Sequence, residues 1–196
     1  MEAQGMAPGK KNAKRLGAHI VFVDESGFLM APPVRKTWGL KGQTPIIRHH
    51  QVRQRTSVIS GLSVSPKKRR LGVYFNLHEK NICQVEVLIF LRHLLRHLRG
   101  HVIVVWDNSR THRGAQIREF LKGKRRLHLE ALPPYAPELN PAEGIWSQAK
   151  NTLANGRPDL VEELRLHLVD TLDDIRSSQS NLRACIHKSD LPLFLS

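Results

Sequence analysis

The chain has 196 residues, enough for one well-filled domain rather than two. Lys and Arg number 31 against 17 Asp and Glu, a net charge of +14 that points to a polyanionic partner, most simply nucleic acid. Apolar runs are too short to cross a bilayer, and the opening segment MEAQGMAPGKKNAKRLG lacks the apolar centre of a signal peptide, so membrane and exported classes are set aside and a cytoplasmic location is expected.

Residues 1–17 are polar and basic and read as a tail or linker remnant, with the folded domain expected over 18–196. Residues 18–24 form an apolar run of the kind a central strand needs when both its faces are covered. The Gly and Pro residues of 27–45 mark a long loop or hairpin region. TSVISGLSV (56–64) and LGVYFNL (71–77) read as two further strands, joined by SPKKRR as a turn with a basic tip. Over 81–99 the period changes: Val85, Leu88, Ile89, Leu91, Leu94, Leu95 and Leu98 recur at helical spacing, and Gly100 ends the helix. A strand at 102–107, a short helix at about 114–122 and a strand at 127–132 follow. The Pro-rich segment PPYAPELNP then leads into a helix from Pro141 to about Leu153, and the last third is helical, with an amphipathic helix from Asp159.

Three strands followed by strands alternating with helices imply an antiparallel meander joined to parallel strands. The expected class is α/β: a mixed five-stranded sheet flanked by helices, as in the ribonuclease H-like fold. The two cysteines, Cys83 and Cys185, show no metal-binding spacing and read as reduced thiols. Basic residues cluster at 10–15, 48–55, 67–70 and 122–126. One such cluster is an ordinary solvated turn; four in a chain of this charge suggest a phosphate-contacting face.

Two apolar runs end in Asp: IVFVDES at Asp24 and VIVVWDNSRTH at Asp107. In open α/β sheets the carboxyl edge of the strands is where ligands bind. If the two strands are parallel neighbours, both carboxylates leave one edge together and repel unless a cation lies between them. Mg²⁺ suits such a set, because it takes hard oxygen ligands and retains waters. Each Asp alone is as well explained by a turn or a helix cap. The third acid is Glu143, in the first turn of the helix after PPYAPELNP, where Asn140-x-x-Glu143 also fits a capping box. Glu138 and Glu25 compete, but Glu25 follows Asp24 directly and in a strand faces the other side.

Around these acids, Asn108 either supports the site or shapes the turn. His112 either orients a neighbouring group or touches phosphate; its bland alternative is a solvent-facing His at a helix start. Trp38, between Lys36 and Lys41 in RKTWGLKGQTP, could stack on a base, the alternative being a hairpin packed on the domain. Pro133, Pro134, Tyr135 and Pro137 read as stiffening the approach to Glu143, and Ile145 and Trp146 as core contacts.

Four segments in order, VFVDESGF, TWGLKGQTP, VIVVWDNSRTHRG and LPPYAPELNPAEGIW, resemble the catalytic domain of DDE transposases of the Tc/mariner superfamily, in its bacterial insertion-sequence branch. The 35 residues between Asp107 and Glu143 are similar to that family's spacing, and the resemblance runs from about residue 13 to the C-terminus. It implies a ribonuclease H-like fold. It also implies Asp24, Asp107 and Glu143 as an acidic triad holding two divalent ions, Mg²⁺ with Mn²⁺ as a substitute. The implied reaction is metal-dependent DNA cleavage followed by strand transfer to target DNA. Asn108 and His112 are the supporting candidates. Arg35, Lys36, Trp38, Lys41, Arg53, Arg55, Lys67 and Lys68 are the candidate DNA contacts. The implied partners are element ends and target DNA, a homo-oligomer on DNA, and a separate helix-turn-helix half, since only about seventeen polar residues precede the first strand. A nucleoid-associated bacterial protein is the corresponding expectation. Two alternatives stand beside this reading: a nuclease of the same fold without strand transfer, and an inactive truncated remnant that only binds DNA.

Overall fold

The computed structural model describes residues 13–30, 38–42, 54–67, 70–154, 156 and 158–189. The strands are β1 (His19–Leu29), β2 (Arg55–Val64), β3 (Leu71–His78), β4 (Val102–Trp106) and β5 (Leu127–Ala131). The helices are α1 (Gln84–His97), α2 (Ala115–Leu121), α3 (Ala142–Thr152), α4 (Val161–Ser177) and α5 (Gln179–Lys188). One five-stranded sheet has the order β3-β2-β1-β4-β5. β1, β2 and β3 form an antiparallel meander, while β4 and β5 join parallel to β1. The mixed sheet flanked by helices is the fold class expected from the element order.

Both faces of the sheet are covered, which is why β1 and β4 are apolar without alternation. Ile20, Phe22, Phe28, Val58, Leu62, Ile103 and Val105 pack with residues of α3, α4 and α5. Val21, Val23, Ile59, Val102, Val104 and Trp106 pack on the other face with residues of α1 and α2. Gly61 is needed in β2, because a Cβ there would lie 2.7 Å from Val21 Cγ1 and 3.3 Å from the Phe90 ring.

Three expectations need correction. β1 does not stop at Asp24. It continues through Leu29 because Ser26, Gly27 and Phe28 pair with Val58, Ser57 and Thr56, and Phe28 packs edge-on against Trp146, centroids 6.0 Å apart. The apolar run ends at residue 24, but sheet pairing does not depend on side-chain polarity. In α1 the buried stripe is Val87, Leu88, Phe90, Leu91 and Leu94, with Val85 and Ile89 about half exposed. The helix starts at Gln84, later than the periodicity suggested, and turns Phe90 inward. Finally, residues 13–16 of the expected tail form a helical turn with Ala13 buried in the core; residues 1–12 lie outside the described residues. No helix among the described residues is long and apolar enough to cross a membrane.

Candidate active site

Sheet register brings the first two acids together. β1 and β4 run parallel with Phe22 opposite Val105, so two residues further on Asp24 and Asp107 stand at the same height. Parity then sets the face. Phe22 and Val105 face the α3 side, so Asp24 and Asp107 share that face, while Glu25 and Trp106 belong to the other. Glu143 comes to them from the first turn of α3. All three acids line one open cleft of about 480 Å³ with Asn108, Arg113, Pro133, Pro134, Tyr135 and Asn140. Glu138, the competing acid, lines a neighbouring cleft instead.

Asn140 places Glu143. Its side-chain amide donates to the Val23 carbonyl of β1 (3.2 Å), and its side-chain oxygen accepts from the Ala142 N–H (3.2 Å). One buried side chain therefore ties the start of α3 to the strand carrying Asp24. The capping box is not formed: the Asn140 N–H is taken by the Pro137 carbonyl (2.8 Å), which leaves the Glu143 carboxylate to the cleft. Trp146, one turn further along α3, is more than a core contact, since its indole N–H donates to Asp24 Oδ2 (2.9 Å). Asn108 donates to the Leu132 carbonyl (3.0 Å), joining the ends of β4 and β5 below the Pro-rich loop.

His112 is buried, contrary to the solvent-facing alternative. Its ring stacks on Trp106, with centroids 4.3 Å apart and planes 4° from parallel. Nε2 lies 3.1 Å from Glu25 Oε1, and Nδ1 lies 2.8 Å from Asp107 Oδ1. Burial disfavours its charged form, but the two carboxylates outweigh this and push His112 up to about 9. In turn His112 holds Asp107 below the usual carboxylate range. Asp24 behaves oppositely. Burial pushes it up to about 7, with the charge of Glu143 adding to the rise and that of Asp107 adding less, against hydrogen bonds from the Glu25 N–H and Trp146.

These three carboxylates are hard oxygen donors in one cleft, and their mutual repulsion is of the kind a bound cation relieves. The donor chemistry fits a divalent ion. Among the described residues, however, no group of three or more His, Cys, Asp and Glu side chains is arranged to hold a metal outright. Asp107 is engaged by His112 and by the Ser109 N–H (2.9 Å), and Asp24 by Trp146.

The candidate DNA contacts scatter. Trp38, Lys41, Arg55 and Lys67 are exposed, Trp38 at 99%. Arg55 pairs with Leu29, at the end of the sheet where the cleft opens. Lys67 sits in the β2–β3 turn, beyond the Val64–Ile20 pair at the opposite end. Arg35, Lys36, Arg53 and Lys68 lie outside the described residues. Among the described residues, the basic clusters thus do not converge on the cleft. Two cleft residues escaped the sequence reading in this role. Arg113 lines the cleft as a cation, and its position after VIVVWDNSRTH was the available signal. Tyr135 is fully exposed at the cleft with a left-handed backbone (φ 56°), which no sequence pattern announced.

The fold matches known proteins. The structure resembles the Mos1 mariner paired end complex with Mn (TM-score 0.63, 19% identity, covering 87% of this chain and 53% of that one). It also resembles the Mos1 Strand Transfer Complex (TM-score 0.62, 20% identity, 96% and 59% covered) and the Mos1 transposase catalytic domain with Raltegravir and Mn (TM-score 0.52, 16% identity, 98% of each chain covered). The chain spans little more than half the length of the first two, and at these identities the likeness is one of fold, the ribonuclease H-like fold. Sequence comparison with curated proteins yields no match. The sequence matches the DDE superfamily endonuclease profile over residues 19–165, from the first residue of β1 into α4 and across all three cleft acids, and the chain belongs to that family.

Proposed function

We propose that the chain is the catalytic domain of a transposase similar to those of the Tc/mariner superfamily, cutting DNA at element ends and joining the cut strand to target DNA. The observation that carries this is the single cleft lined by Asp24, Asp107 and Glu143, supplied by two parallel strands and a helix start. Likeness to Mos1 complexes with paired ends and with strand-transfer DNA supports the joining step over simple hydrolysis. On this reading the domain is 18–196 with the helical turn at 13–16 packed on its core, and it works as an oligomer on DNA with a separate end-binding module.

Asp24, Asp107 and Glu143 would hold two divalent ions, Mg²⁺ or Mn²⁺, whose chemistry is to stabilise the attacking and leaving oxygens of an in-line displacement at phosphorus. The protein's own contributions follow from the contacts above. Trp146 holds one Asp24 oxygen and so fixes the carboxylate in the cleft wall. His112, braced by Glu25 and Trp106, keeps Asp107 ionised and oriented. Asn140 sets the start of α3, and so Glu143, against β1. Arg113 faces the same cleft and is placed to meet a DNA phosphate. Exposed Trp38, Lys41 and Arg55 serve as outer DNA contacts.

The test mixes purified protein with duplexes carrying the repeats that flank its coding sequence, in Mg²⁺, Mn²⁺ or EDTA, beside Glu143→Ala. Metal-dependent cutting lost in the variant, together with joined products, is the expected result. Cutting without joining would favour the nuclease, and wild-type cutting by Asp107→Asn would remove the triad assignment.

A further inference from the structure

The polarity of the sheet gathers four loops at the edge opposite the cleft. β1, β3, β4 and β5 begin there and β2 ends there. The described residues of these loops are 13–18, 65–67 and 70 of the β2–β3 turn, 98–101 of the α1–β4 link and 122–126 of the α2–β5 link. They contain no Asp or Glu at all. Nine Lys and Arg residues in them are described, and eight of these are exposed. Arg126 is committed to structure, donating to the carbonyls of Leu95, Leu98 (2.7 Å) and Gly100 (3.0 Å). Lys122 pairs with Glu119 (2.7 Å), and Lys124 lies over the Phe120 ring. Lys14, Arg15, Lys67, Arg70, Arg99 and Arg125 have no carboxylate partner among the described residues. The acids bordering the edge, Asp173 and Asp174, stand at the end of α4, and Asp173 is paired with Arg176 (2.9 Å).

We propose that this edge is a second nucleic-acid surface, gripping the phosphates of a duplex segment distinct from the one in the cleft. Five strands make the edge about 20 Å wide. That spans roughly six phosphates at about 3.4 Å per phosphate along one strand. Roughly 17 Å of β1, from His19 to Asp24, separates it from the acids. This is about twice the screening length at physiological salt, so the edge cations do little for phosphates at the cleft. A stiff duplex does not bend over a few base pairs to reach both edges. The side chains are flexible cations on loops, with no aromatic platform or groove-entering element, so the grip is on backbone and independent of sequence. The nature of the polyanion as DNA rests on the endonuclease reading; the charge surface does not.

The test compares wild type with Arg70→Gln/Arg99→Gln/Arg125→Gln and with the corresponding charge reversal to Glu. Binding of a 30-base-pair duplex of arbitrary sequence is followed against salt. In a second assay, bead-bound duplex and protein are offered a fluorescent duplex. The slope of log K on log salt is expected to become shallower by about 2–3 in the triple Gln variant. Retention of the second duplex should be lost while binding of the first remains. An unchanged slope, or bridging that survives charge reversal, overturns the proposal. So does displacement of the second duplex by polyglutamate as readily as by unlabelled duplex of equal charge, which would assign the edge to an acidic protein. Because the readout is binding, a wild type that bridges duplexes yet never cuts would sink the endonuclease reading and leave this surface standing.

Discussion

His112 shows what one buried residue does for the site. Its pKa is raised from 6.5 to about 9, so its contribution to stability is fully present below pH 6.5 and is lost as pH climbs through 9. His112→Gln is expected to cost about 2–3 kcal/mol at pH 6, with the deficit shrinking by pH 9.5, as read by urea unfolding at both values. Asp24 has a raised carboxyl instead, and the same linkage applies: its folded form favours the proton, so stability is present below about pH 4 and declines as pH passes 7. Asp24→Asn is therefore expected to be more thermostable than wild type at pH 8 in EDTA, and indistinguishable at pH 4. Adding Mn²⁺ at pH 8 should raise the melting temperature of wild type and leave that of Asp24→Asn unmoved, since a ligand stabilises only the state that binds it. Scanning calorimetry checks both; an unshifted wild type would count against the cleft as a cation site.

At the scale of elements, the site depends on how α3 is seated. Gly144 follows Glu143, and a Cβ there would lie 2.9 Å from the Cα and side chain of Cys185 in α5. The contact includes backbone, so the two helices have to part. Gly144→Ala is expected to destabilise by about 1–3 kcal/mol, the usual cost of overpacking, although alanine is the better helix former. Thermal unfolding measures the loss, and a stabilised Gly144→Ala would refute the close seating. The sequence made α3 and its start legible through the Pro-rich lead-in. It did not reveal that Asn140 reaches β1, because its amide and the Val23 carbonyl are 117 residues apart. The reading of β1 as ending at Asp24 failed for the same kind of reason: residues 25–29 are held by β2, not by their own apolarity.

For the whole molecule, charge and chemistry are separated. The acids occupy the carboxyl edge of the parallel strands, and most of the described cationic loops occupy the other. DNA affinity is therefore expected to fall as steeply with salt in Asp107→Asn as in wild type, within about one unit of slope, while cleavage disappears. Electrophoretic mobility shifts between 50 and 200 mM salt, beside a nicking assay, separate the two properties. A marked gain in affinity without any cleavage in the wild type would favour a DNA-binding protein whose acids are structural.

The sequence by itself determined the strands, their order of appearance and the parity that sets Asp24 and Glu25 on opposite faces of one strand, since these follow from local apolar runs and a two-residue period. Only the tertiary structure decided that β1 and β4 are neighbours in matching register, that His112 is buried between Glu25 and Asp107, and that the described basic residues are divided between opposite ends of the sheet. Each of those depends on contacts between distant segments, which strand pairing and helix packing create and no local pattern encodes.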